Sequence, residues 1–112
     1  MEDEYKVIWR ESAIEHLREI REYIEGVSFS VEIANRILGE IFDRGEGLNI
    51  FPKRYPIAKE NLVLRKMVVD DYNVFYHVSE SPKLVQIVAV KHHSVDISIF
   101  INPSVANGTY ER

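Results

Sequence analysis

The sequence predicts an α+β domain: a small antiparallel β-sheet with a helical hairpin on one face, in the order β-α-α-β-β-β. Three observations carry that prediction. Two stretches in the first half repeat apolar residues at helical spacing. Three stretches in the second half run apolar or alternating, separated by two or three turn residues. A short β-branched and aromatic segment precedes the helices.

That segment, YKVIW at 5 to 9, reads as the first strand. Ser12 and Glu15 follow as an S-x-x-E capping box, which places a helix start at Ser12. Ala13, Leu17, Ile20 and Ile24 then form one apolar stripe, and Gly26 is the expected left-handed stop. Ser28 or Ser30 can cap a second helix, whose stripe runs through Ile33/Ala34, Ile37/Leu38, Ile41 and Leu48. Glu32–Arg36 and Glu40–Arg44 support it as i,i+4 pairs, and Pro52 is expected to end it. Trp9 is expected to staple the first helix region. Leu17, Ile20, Ile24, Ile37 and Ile41 are the predicted core of the hairpin.

FPKRYP at 51 to 56 reads as a loop with two prolines. LVLRKMVV (62 to 69), YNVFYHVS (72 to 79) and KLVQIVAVK (83 to 91) read as strands. The connections Asp70-Asp71 and Glu80-Ser81-Pro82 are short enough for hairpins. The domain is expected over residues 1–101, with a polar, turn-rich tail at 102–112.

Composition narrows the chemistry. The chain has 112 residues and no cysteine, so it has no disulfide, thiolate nucleophile or cysteine-based zinc site. No metal or cofactor is expected. No apolar run approaches ~18 residues, and MEDEYK is acidic where a signal peptide would be basic, so the expectation is a soluble, cytoplasmic protein without a membrane partner. A net charge of −4 argues against indiscriminate binding of nucleic acid. The charge is uneven, however. Between Lys53 and Lys66 five bases (Lys53, Arg54, Lys59, Arg65, Lys66) face Glu60 alone, so any anion-facing surface is expected there. A solvated loop and strand edge explains the same run equally well.

The assembled pattern resembles the RelE/ParE superfamily of bacterial type II toxins. The residues that carry the resemblance are Ala13-Ile14-x-x-Leu17-x-x-Ile20-x-x-Tyr23-Ile24, Ala34-x-x-Ile37-x-x-x-Ile41, Phe51-Pro52, Arg65, Tyr72-Asn73-Val74-Phe75-Tyr76 and Val88-x-Val90-Lys91-His92. Their order and spacing cover residues 5 to 96. The resemblance implies a toxin of the plasmid-stabilisation type, neutralised by a cognate antitoxin, a small acidic protein. It leaves two modes of action. A RelE-like member is a metal-independent, ribosome-dependent mRNA endonuclease, which needs a base, an acid and a cation around one phosphate. A ParE-like member poisons DNA gyrase and lacks that constellation.

Departures favour the ParE side. Asn73 stands after Tyr72 where nuclease members carry an arginine, and an amide offers no charge to a phosphate. His93-Ser94-Val95-Asp96 stands where the family often runs into an arginine pair. If the chain is a ribonuclease, Arg65, Lys66 and His92 are the candidate catalytic residues. If it acts through contacts, Lys53, Arg54, Tyr72, Phe75 and Tyr76 are the candidate partner-binding residues. A third reading, an inert interaction module derived from the family, is favoured only by the net charge. For His92 and His93 the plainer reading, satisfied histidines at the end of a strand, stands ahead of an active-site role, since neighbours on a strand face opposite ways. Tyr72, Phe75 and Tyr76 serve a core as readily as a peptide groove. Arg65 or Lys66, one residue apart, must lie on the sheet face opposite the helices.

Overall fold

A computed structural model describes residues 4–94, and the expected tail at 102–112 lies outside them. The elements are β1 (Lys6–Trp9), α1 (Glu11–Ser28), α2 (Val31–Glu46), β2 (Arg65–Val69), β3 (Tyr72–Glu80) and β4 (Lys83–His92), with single 3₁₀ turns at Gly47–Asn49 and Pro52–Arg54. The sheet order is β1-β4-β3-β2. The pairs β2–β3 and β3–β4 are antiparallel hairpins, whereas β1 lies parallel to β4, with Lys6 opposite Leu84 and Trp9 opposite Ile87. The sheet is therefore mixed, because the chain returns to its first strand only after the whole hairpin and two further strands.

The helical hairpin covers one face. Ala13, Ile20 and Ile24 of α1 and Ala34 and Ile41 of α2 are buried against Met67, Val69, Val74, Tyr76, Val85, Ile87 and Val90 of the sheet. Leu17 and Ile37 pack on this core while half-exposed, at the margin of the stripe and not its centre. Ser30 caps α2 as expected, its hydroxyl accepting the Ile33 N–H at 3.1 Å.

Five local expectations change. Ser12 lies inside α1, which begins at Glu11; its hydroxyl donates to Val88 O at 2.6 Å on β4, so no capping box forms. Gly26 lies within α1, and the left-handed C-terminal position falls on Phe29, at φ 55°. α2 ends at Glu46, well before Pro52. Trp9 packs on the end of α2: its ring stacks on Phe42 at 5.4 Å, its Nε1–H donates to Glu46 Oε2 at 2.7 Å, and Gly45 provides the space. Strand β2 begins at Arg65, later than expected, because residues 57 to 64 fold back over the sheet. There Ala58 and Leu64 form a second core with Phe75, Val88 and Ala89 on the face opposite the helices.

One irregularity resets the faces of β4. Phe75 lies opposite Ala89 but Tyr76 lies opposite Ile87, so Val88 is an extra residue. A bulge of this kind inverts the alternation beyond it. Val85 and Ile87 face the helices before the bulge; Val90, and hence His92, face them after it.

Candidate functional site

The candidate residues fall into three places. The first is the basic loop. Arg65 leaves β2 on the helix-covered face and donates through Nη1 to the carbonyls of Lys53 (3.2 Å) and Tyr55 (2.7 Å). Tyr76, opposite Arg65, is fully buried and donates its hydroxyl to Pro52 O at 2.6 Å. Burial pushes its pKa up to about 12, although the Arg65 and Arg54 charges pull the other way. These two side chains hold the loop on the sheet. Arg54 folds back on the carbonyls of Ile50 and Phe51, with its guanidinium 4.9 Å from the Tyr55 ring centre. A hydrogen bond from Arg44 is the main cause that lowers the Tyr55 pKa. Lys53 pairs with Glu80 at 2.5 Å, and Glu80 also accepts from Tyr5, so both hold that carboxyl below its usual range.

The second place is the opposite sheet face. Lys66 is the base that lies there, as the alternation required for one of the pair, and it is bonded to Glu60 at 3.1 Å. Phase on this face also places Phe75, which is buried under Ala58 and Leu64. Phe75 and Tyr76, both expected among the partner-binding candidates, are core rings that present no side-chain surface.

The third place is a cleft of about 370 Å³ between α1 and the ends of β3 and β4, where Tyr72 and His92 meet. Their rings are edge to face at 5.6 Å. His92 Nδ1 accepts the Ser94 N–H at 3.2 Å and lies 2.9 Å from its hydroxyl. His16, absent from the sequence reading, is buried in the same cleft, and its Nδ1 accepts the Val90 N–H at 3.2 Å. Burial is the main cause that lowers its pKa; the charge of Lys91 adds to this, and Glu19 and Glu15 oppose it. Lys91 in turn approaches Glu19 at 3.6 Å. The signal available in the sequence was a polar ridge, Ser12, His16 and Glu19 at i, i+4 and i+7, alongside the apolar stripe.

The nuclease candidates are not brought together. Arg65 sits opposite Tyr76 and His92 opposite Tyr72, at the two ends of a strand segment. Four residues along β3 and two strand spacings across it separate them by roughly 16 Å of backbone. Lys66 is on the other face. Among the described residues no group of three His, Cys, Asp or Glu side chains is placed to hold a metal ion, and no helix is long and apolar enough to cross a membrane.

The model of the ParE toxin family, described as the ParE toxin of the type II toxin–antitoxin system parDE, matches residues 7–97. The chain belongs to that family. ParE-family membership makes it a toxin of the ParE/RelE superfamily of type II toxin–antitoxin systems. Its fold is similar to two solved structures. One is the chromosomal ParDE TA system from P. aeruginosa, at TM-score 0.70 and 16% identity over 80% of this chain and 97% of that chain. The other is the toxin–antitoxin complex RelBE2 from Mycobacterium tuberculosis, at TM-score 0.61 and 21% identity over 80% of this chain and 91% of that chain. No curated protein sequence matches.

Proposed function

We propose that this ParE-family toxin arrests growth by binding a cellular protein, DNA gyrase, and carries out no bond-breaking chemistry of its own. The observation that carries this reading is the dispersal of the ribonuclease candidates. Arg65 is spent on two loop carbonyls, Lys66 is spent on Glu60, and His92 lies roughly 16 Å from Arg65. In-line attack on a phosphate needs base, acid and cation within hydrogen-bond reach of the same few atoms. Expression in bacteria tests the reading: DNA-damage signalling and stalled replication with intact mRNA are expected. Ribosome-phased mRNA cleavage that His92→Ala and Arg65→Ala abolish would refute it and install the ribonuclease.

The same reading includes a cognate antitoxin, a small acidic protein. The solvent-facing bases Lys53, Arg54 and Lys59 form the surface that fits it, with the exposed Phe51 and Leu62 as apolar contacts. Such charges speed encounter more than they deepen affinity. Co-expression with a small acidic neighbour should yield a complex burying more than about 1,000 Å². Its association rate should fall as salt rises.

A further inference from the structure

The tip of the helical hairpin is apolar, exposed and built at a conformational disadvantage. Phe29 is 91% exposed; Val27 and Val31 on either side are 60% and 57% exposed, and Tyr23, one turn back on α1, is 66% exposed. Single exposed hydrophobic residues are ordinary, but four within nine residues around one helix–helix turn are not. Phe29 also occupies the left-handed region, φ 55° and ψ 32°, where its N–H closes α1 on Glu25 O at 2.9 Å. Glycine is the residue that fits this position, and a bulky side chain there is strained. The ring therefore brings the fold neither burial nor conformational ease.

The charge around the tip identifies what it can meet. From Glu22 to Ile33 there are three glutamates, Glu22, Glu25 and Glu32, and no base; Glu25 pairs with Arg21 at 3.3 Å, so Glu22 and Glu32 carry the acidity of the tip. An aromatic anchor inside an acidic rim complements an apolar socket with a basic rim, since interfaces match apolar centres and opposite charges at their edges. That geometry disfavours an acidic antitoxin, and it disfavours the surface of an anionic membrane. The basic loop lies at the other end of α2, and the 16 residues of that helix put about 24 Å between the two ends.

We infer that the hairpin tip, centred on Phe29, is the contact through which the toxin engages its target protein, at an apolar socket bordered by basic side chains. The inference rests on the proposed function, since it presumes a protein target. Phe29→Gly tests it. This variant removes the ring and suits the backbone, so its melting temperature should equal or exceed that of the parent chain. Loss of a central aromatic anchor should weaken target engagement about 30-fold or more, and plating under induction should recover accordingly. Val31→Ser should show the same direction with a smaller effect. Co-purification with the acidic antitoxin should be unchanged.

Growth arrest by Phe29→Gly equal to that of the parent chain, at equal soluble level, overturns the tip and leaves the proposed function standing. A parent chain that is folded and harmless overturns both. Loss of antitoxin co-purification in Phe29→Gly assigns the tip to the antitoxin and also overturns the inference. So does a parent chain that dimerises in sedimentation, or binds vesicles of acidic phospholipid, where Phe29→Gly does neither.

Discussion

Gly45→Ala and Gly39→Ala are the same substitution in the same helix and should have opposite effects. At Gly39 an added methyl meets nothing within 4 Å. The variant gains only helix propensity and should be stabilised by about 0.5–1 kcal/mol. At Gly45 the new Cβ would lie 2.5 and 2.6 Å from two ring carbons of Trp9 and 3.1 Å from Ile87 Cδ1. Ordinary contact begins near 3.4 Å, so the indole must retreat by almost 1 Å. It has little freedom to do so, because it is stacked on Phe42 and bonded to Glu46. Overpacking of this kind costs about 1–3 kcal/mol, and disturbing the stacked pair adds roughly 0.5–1.5 kcal/mol. Against these stands the helix gain of about 1 kcal/mol. The net expectation is a loss of about 0.5–3.5 kcal/mol, read as a lower urea midpoint at unchanged slope. Trp9 is the single tryptophan, so its fluorescence reports the displacement directly. Equal stabilisation at both glycines, with an unaltered emission spectrum, would refute the seating of Trp9 against α2.

Two further perturbations follow from buried titratable groups. The folded-state pKa of Tyr76 is raised to about 12, above its unfolded value near 10, so the folded state holds this proton more tightly. Stability from this group is complete below pH 10 and falls as pH rises toward 12, by about 3 kcal/mol in all; Tyr76→Phe should lose about 1 kcal/mol at neutral pH and lack that alkaline component in urea titrations. His16 has a lowered pKa, so the unfolded chain binds protons more readily, and stability should fall as pH drops below about 6.5. His77, also lowered by burial, contributes in the same window, so the comparison of parent chain, His16→Gln and His77→Gln at pH 5 and pH 7.5 separates their shares.

What was legible in the sequence was whatever neighbouring residues decide among themselves. The two stripes, the Ser30 cap and the three C-terminal strands depend on local periodicity and turn chemistry, and they stand in the structure. Ser12 was misplaced because its hydroxyl has a better partner 76 residues away on β4, which no local rule contains. Gly26 was expected to stop α1, yet the helix runs two residues further, with the Ser28 hydroxyl on Ile24 O and the Phe29 N–H on Glu25 O, and leaves the left-handed position to Phe29. The parallel pairing of β1 was illegible for a similar reason: a strand's neighbour is chosen by the closed fold and not by the strand. The bulge on β4 was illegible too, since nothing in the local pattern marks Val88 as the extra residue that inverts the side chains beyond it. The candidate site inherited these errors. Arg65, Tyr76 and Phe75 carry the chemistry of a functional surface, but their partners are loop carbonyls and a second small core.

Strand β4 is ten residues long, and β1 pairs only with Leu84–Ile87, so its outer half would be a bare edge in a simpler fold. Bare edges recruit foreign strands and seed aggregates. Here α1 substitutes for the missing strand: the Ser12 hydroxyl takes Val88 O, and the His16 imidazole takes the Val90 N–H. The far edge, β2, is closed in part by the Lys66 N–H bond to Pro56 O and the bridge between Ile57 and Arg65. Both flanks of the sheet are thus blunted without adding a strand. The amide of Val90 should exchange with deuterium as slowly as one inside a continuous ladder, and a chain carrying His16→Ala should be the one that forms thioflavin-positive aggregates on mild heating.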